Sequence, residues 1–452
     1  MDTNTTAKNN APAQIPVSAI VHPAKTIGGE LQVPGDKSIS HRVAMLAGMA
    51  SGTSEVENYL QSEDCINTLK AMEALGARSY ETPDGKLHIQ GTGGKFMAPA
   101  GTLDIGNSGT SMRLLTGILA GSPITVELTG DDSLRSRPMK RIKEPLELMG
   151  AKVELTGERG TAPLRITGAK LKGIDYLLPV ASAQVKSCIM MAGLFAEGIT
   201  RVTEPVHTRD HTERLLAALG LPIAVKGLQI EITGMGPKGP CIKARPYIIP
   251  GDFSSAAFWM VAVAGRPGQS VTIRNVGLNP RRTAMLDALK QAGVSVTVKE
   301  YKGTNHIEPA GDITVKGTKL KPFEVGGDAI PNLIDELPVL FVLAALAHGK
   351  SVIRDAQELR VKESDRIATM AGNLRLMGID AQETPDGMIV NGGTPIIPSS
   401  SVRSYGDHRI AMSMAILGTY AESPLVIQNV ACVDTSYPEF WNHLRGLGGH
   451  VE

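Results

Sequence analysis

Lys37 and Arg42 stand five residues apart in Gly35-Asp36-Lys37-Ser38-Ile39-Ser40-His41-Arg42, with a break at Val33-Pro34-Gly35 before them and an apolar run through Val43, Met45, Leu46 and Met49 after. The pattern predicts a helix start, with Ser38 and Ser40 offering hydroxyl caps. Unpaired N–H groups and the helix dipole already favour an anion there, and the two cations add a grip for phosphate or carboxylate. Comparable groups recur. Asn107, Gly109, Thr110 and Arg113 form one, in which Gly109 lets a ligand approach the backbone closely. Ser182, Gln184 and Lys186 form another, and Asp407, His408 and Arg409 a third. Arg135, Arg137, Lys140 and Arg141 crowd a short run stiffened by Pro138, and Thr208-Arg209-Asp210-His211-Thr212-Glu213 and Arg360-Val361-Lys362-Glu363-Ser364-Asp365-Arg366 carry further cations. The planar guanidinium fork suits phosphate and carboxylate.

About ten Lys and Arg thus lie beside helix starts, against three or four acids. A single phosphate needs only two or three cations, so two anionic substrates fit better than one. The minority acids Asp335 and Glu363 become candidates for moving protons. Each also has a plainer reading: Asp335 as a helix cap, Glu363 as a partner for Lys362 or Arg366 along a helix.

The elements that must position these residues repeat. Helix-start phrases recur at 35–38, 106–109, 181–184, 251–254, 333–336 and 406–409, each leading into an Ala-, Met- and Leu-rich run. A second, amphipathic helix ends each time at a glycine: Gly76, Gly150, Gly220, Gly293, Gly378 and Gly448, about 70 to 85 residues apart. Alternating stretches such as Ala151–Leu155 and Val294–Val298 follow and read as strands. The expected unit is strand, helix, strand, helix, strand, strand, and the expected class is α/β (α+β). Six such units are too large for a solenoid and are expected as two similar domains of three. Pro-rich Arg245–Pro250 marks a crossover. The division predicted is a disordered tail at 1–15, a discontinuous domain of 16–34 with 251–452, and a second domain of 35–250.

Bulk properties exclude other classes. Among 452 residues the formal net charge is +1 and aromatics make up 4%, which offers neither the basic field nor the stacking surface of a nucleic-acid binder. Cys65, Cys188, Cys241 and Cys432 form no CxxC pair, so a reducing compartment and no metal site are expected. No apolar run reaches 18 residues, and a cytoplasmic protein without membrane contact is expected. Gly91-Thr92-Gly93-Gly94-Lys95-Phe96 lacks the first Gly and the Ser/Thr of a phosphate loop, and Gly234–Gly239 carries Pro237 where a nucleotide helix would begin.

The phrases PGDKSISHR at 34–42, GNSGTSMR at 106–113, RPM at 137–139, SAQVKS at 182–187, LRVKESDR at 359–366 and DHRIAM at 407–412 together resemble the 5-enolpyruvylshikimate-3-phosphate synthase family, from about Gly29 to Gly449. The resemblance implies two similar domains, each of three βαβαββ units in an inside-out α/β barrel, with helix starts facing an interdomain cleft. It implies transfer of the enolpyruvyl group of phosphoenolpyruvate to the 5-hydroxyl of shikimate 3-phosphate, with no cofactor, in a monomer. Shikimate 3-phosphate would be held by Lys37, Ser38, Arg42, Ser182, Gln184, Arg209, Asp335 and Lys362. Phosphoenolpyruvate would be held by Lys37, Asn107, Gly109, Arg137, Gln184, Arg366 and Arg409. Asp335 would take the hydroxyl proton, and Glu363 would protonate the methylene carbon, with Lys37 as helper or competitor. Arg209, in RDHTE, resembles the second bacterial class, as does Thr435 where other members carry Lys; Asn279-Pro280-Arg281-Arg282 departs from that class's Asn-x-Thr-Arg. Gly109 implies sensitivity to glyphosate.

Two rivals remain at this level. UDP-N-acetylglucosamine enolpyruvyl transferases share the fold, but most use a loop cysteine that 131–141 lacks. A non-catalytic binder of phosphorylated metabolites gains nothing from carboxylates such as Asp335 and Glu363 in its cleft. Two cationic walls should repel until anions bridge them, which predicts an open free form that closes on its substrate.

Overall fold

The computed structural model describes residues 17–302 and 307–452. The tail expected at 1–15 lies outside the described residues. Helix-start phrases and glycine stops both become real boundaries. The six apolar helices are Lys37–Met49, Gly109–Ala120, Ala183–Gly193, Phe253–Ala264, Leu337–Leu346 and His408–Gly418. Phe253–Ala264 is buried on every face, which is why its sequence shows no polar stripe. The six glycines that end the second helices all have positive φ, from 70° at Gly220 to 113° at Gly150, a conformation that other residues adopt only under strain.

Capping differs from the expectation at the first helix. Asp36, not Ser38 or Ser40, is its N-cap: the carboxylate accepts from Ile39 N at 2.9 Å. Ser40 Oγ instead accepts from Leu60 N at 3.2 Å. Asp is as good a cap as Ser, and its position directly before the helix puts it in reach of the free N–H groups. Ser108, Ser182, Asp252 and Asp407 cap the corresponding helices, while Leu337–Leu346 has no side-chain cap.

Each unit builds a four-stranded mixed sheet, and among the described residues the six sheets stay separate, none closing on itself. In one, Leu103–Asp104 runs parallel to Thr125–Thr129, which pairs antiparallel with Leu164–Thr167, itself antiparallel to Lys152–Leu155. Three sheets borrow a strand from far along the chain. Tyr247–Ile248 joins Thr53–Glu57, Gly29–Gln32 joins Ser270–Gly277, and Ser18–His22 lies between Leu425–Gln428 and His450–Val451.

Packing follows the same division. Residues from Ala19 to Val33 share one hydrophobic core with residues from Phe253 to Val451, and a separate core runs from Ile39 to Ile249. The chain passes between the cores at two Pro-Gly-Asp phrases, 34–36 and 250–252, that lie side by side: Asp36 N donates to Pro250 O and Asp252 N to Pro34 O, both at 2.8 Å. A Cβ on Gly35 would sit 1.9 Å from the Asn58 carbonyl oxygen, so only glycine fits. No helix among the described residues is long and apolar enough to cross a membrane.

Candidate active site

Helix starts from both cores converge on one cavity of about 600 Å3. Lys37, Ser38, Arg42, Asn107, Gly109, Arg137, Ser182, Gln184 and Arg209 line it from one core, and Asp335, Lys362, Glu363 and Arg409 from the other. The residues gather because each helix presents its first turn there, bringing the positive end of its dipole and the N–H groups that its cap leaves free.

Asp335 is ringed by guanidinium groups. Arg209 Nη2 donates to Oδ2 across the cavity, Arg366 Nη1 lies 3.4 Å and Arg409 Nε 3.7 Å from Oδ1, and Arg409 Nη1 donates to the Asp335 carbonyl at 2.9 Å. Burial works to raise the Asp335 pKa, but Arg209, Arg409, Lys362 and Arg366 outweigh it and hold the carboxyl well below its ordinary range. Glu363 behaves alike: burial opposes, while Arg366 (2.7 Å) and Arg137 (3.5 Å), with His408 and Lys37, hold it well below. Burial pushes the Lys362 ammonium down, against the pull of Asp335, Glu358 and Glu363. Asp335 therefore caps no helix, and Glu363 meets Arg137 as well as its neighbour Arg366.

Arg366 lies behind both acids, 1% exposed, with Nε on Asp407 Oδ2 at 2.8 Å. It touches three carboxylates and does not reach the cavity wall. Arg42 is also committed to protein, donating to Thr212 Oγ1 (2.8 Å), Ser38 O (2.8 Å) and Ser187 Oγ (3.0 Å). Arg137 donates to Asn107 Oδ1 at 2.6 Å and to Ser133 Oγ at 3.2 Å. Gln184 accepts from Arg113 and donates to Thr110 Oγ1 at 2.9 Å.

Lys186 belongs elsewhere. Its ammonium is fully buried against Glu204 (3.0 Å) and Glu213 (2.6 Å), inside the core rather than beside the cavity. Thr435 is outside the cavity lining and donates to the Cys432 carbonyl at 2.7 Å. Arg281 donates its amide to Asn279 Oδ1 at 2.8 Å.

Asp64, Glu358, Asp328 and Asp355 line the cavity and escape sequence reasoning. Asp64 Oδ2 sits 3.2 Å from Lys37 Nζ, and Glu358 pairs with Arg141 at 2.9 Å across the cavity mouth. Asp64 reads in sequence as an ordinary acid in the first turn of the helix Glu63–Ala74. The walls are accordingly not both cationic. Arg209–Asp335, Arg137–Glu363 and Arg141–Glu358 interleave opposite charges, so repulsion between the walls is not the governing term.

Two cores of three like sheets, meeting at a cleft of helix starts, define the enolpyruvyl transferase architecture. A solved structure of the enolpyruvyl transferase NikO from Streptomyces tendae matches at a TM-score of 0.77 with 18% identity, covering 96% of this chain and 98% of that one, a likeness of fold alone. The EPSP synthase structure from Acinetobacter baumannii matches at 0.84 with 44% identity, covering 96% of this chain and 99% of its own. The family described as EPSP synthase (3-phosphoshikimate 1-carboxyvinyltransferase) matches residues 21–444. Proteins named 3-phosphoshikimate 1-carboxyvinyltransferase from Akkermansia muciniphila (50% identical, 93% of this chain, 97% of that one) and Methylococcus capsulatus (48%, 95% and 97%) are similar throughout. The chain belongs to the EPSP synthase family.

Proposed function

We propose that the cavity joins phosphoenolpyruvate to the 5-hydroxyl of shikimate 3-phosphate, releasing phosphate, with the two cores acting as separate domains around it. The reaction is that of the family; the division of labour among residues is the proposal. Asp335 accepts the hydroxyl proton as the oxygen attacks C2, Glu363 or Lys37 protonates the methylene carbon, and phosphate leaves with loss of a methyl proton. Lys37, Ser38, Arg42, Ser182, Gln184, Arg209 and Lys362 would hold the shikimate ester, Arg42 by fixing the wall it is bonded into. Asn107, Gly109, Arg137 and Arg409 would hold phosphoenolpyruvate, with Arg366 acting from behind.

The observation that carries this reading is the ring of cations on each acid. Those cations keep Asp335 and Glu363 ionised as they stand. Anionic substrates that engage Arg209, Lys362, Arg137 and Arg409 withdraw that field, so both carboxyls regain basicity only when the cleft is loaded. The same cations offset repulsion between two anions and stabilise the departing phosphate.

Phosphate release with phosphoenolpyruvate plus shikimate 3-phosphate, run beside UDP-N-acetylglucosamine as acceptor, tests the substrate. Turnover is expected with the shikimate ester alone and is expected to be lost in Asp335→Ala. Turnover with the sugar nucleotide only would keep the fold and overturn the substrate. Binding of shikimate 3-phosphate without turnover on either acceptor would return the reading to a metabolite binder.

A further inference from the structure

A buried ionic cluster adjoins the cleft without serving the roles above. Arg282 is 3% exposed, and its Nη2 donates to Ser254 Oγ at 2.6 Å, lying 3.5 Å from Glu336 Oε1 and 3.7 Å from Asp252 Oδ1. Its Nε and Nη1 have no partner among the described residues. Glu336, directly after Asp335 in the chain, is equally buried; its Oε1 accepts from the Ser254 hydroxyl and its Oε2 has no hydrogen-bond partner among the described residues. Asp252 closes the chain of contacts, accepting from Ser254 N at 2.7 Å and from Lys37 N at 3.2 Å.

A continuous set of bonds therefore runs from the Lys37 amide through Asp252 and Ser254 to Glu336, and so to the backbone of Asp335. It crosses from one core to the other at the paired Pro-Gly-Asp crossovers, with Arg282 as the cation facing Asp36, Asp252, Glu336 and Asp335. An ion cluster this deep is a costly way to gain stability, because desolvation offsets most of the attraction. Conformational specificity is the other use to which such clusters are put.

We infer that Arg282 and Glu336 are positioning residues: through Ser254 and Asp252 they set where the Asp335 carboxylate stands relative to Lys37. The inference rests on the role of Asp335 given above. A misplacement of about 1 Å at a reacting group costs on the order of a hundredfold in rate, so partial loosening is expected to cost about tenfold.

The test compares wild type, Glu336→Gln and Ser254→Ala, each alone and combined with Asp335→Asn. Turnover is read by phosphate release, shikimate 3-phosphate affinity by calorimetry, and folding by thermal melting. Expected is a fall in kcat of about tenfold with affinity within about threefold of wild type, and no further loss from the residual single-turnover rate of Asp335→Asn. Losses that add in that background, or a lower melting point with kcat unchanged, would overturn the inference. Should Glu336→Gln not fold, Ser254→Ala, which removes one hydroxyl, decides alone. Absence of turnover in the wild type would instead strike the functional reading, independently of this one.

Discussion

Gly109→Ala separates binding from folding because the two effects have opposite signs. Gly109 opens the helix Gly109–Ala120 and its φ is not positive, so alanine suits its backbone. Replacing glycine in a helix gains about 0.5–1 kcal/mol, less at a first position. The added Cβ would stand 2.7 Å from Arg113 Nη1 and 3.2 Å from Arg137 Nη1. The first contact forces Arg113 to shift, loosening its bonds to Gln184 and to the Gly109 carbonyl. The second presses on the guanidinium proposed to take phosphoenolpyruvate. Loss of one bond to a charged group costs about 1.5 kcal/mol, roughly tenfold in affinity. Initial rates at saturating shikimate 3-phosphate should therefore show KM for phosphoenolpyruvate raised about tenfold, while the melting temperature is unchanged or higher. A KM within twofold of wild type would refute the argument, since neither arginine could then matter to that substrate. The crowding also predicts weaker inhibition by glyphosate in the variant, with the wild type sensitive; inhibition of the wild type only at millimolar levels would count against that.

Arg209→Met removes a cation from Asp335, so the acid limb of the pH–rate profile should move to higher pH; an unmoved limb would show that Asp335 does not titrate in it. Lys186→Met strands Glu204 and Glu213 inside the core and is expected to cost about 3–5 kcal/mol in urea unfolding; a variant as stable as wild type would contradict this. His41 and His408 are buried, and burial, then Lys37 with Arg42 or Arg409, holds both well below 6.5. The unfolded chain takes up those protons first, so stability is full above about pH 6.5 and falls below it, by up to about 1.4 kcal/mol per pH unit for each. Urea midpoints that match at pH 7.5 and 5.5 would contradict this. Asp335 and Glu363, depressed well below the carboxylate range, contribute above about pH 4 and lose their share only in stronger acid.

Much of the fold was legible because it depends on local signals repeated six times. A glycine after each amphipathic helix and an apolar helix after each polar phrase are short-range patterns, and both stand in the structure. What sequence hid was pairing between distant segments. Lys186 follows the Ser182 cap by one turn and reads like the cations beside it, but Glu204 and Glu213 draw it into the core. Arg42 has the composition of a ligand grip, yet Thr212 and Ser187 use its donors. Asp64 and Glu358 carry no local mark, since their partners Lys37 and Arg141 come from other elements. Positions of side chains in the cleft were recoverable from helix starts; which acid faces which arginine was not.

The borrowed strands bear on how the chain assembles as it is made. Ser18–His22 and Gly29–Gln32 precede the other described strands but, among the described residues, pair with strands from Ser270 onward, the last of them at His450–Val451. The core spanning Ile39 to Ile249 has every strand it needs once Tyr247–Ile248 has been synthesised. The strands of that half can therefore all find their partners while Ser18–His22 and Gly29–Gln32 still wait, unpaired, for more than half the polypeptide. Those strands are both short, five and four residues, which limits the sticky edge they offer to other nascent chains during that wait.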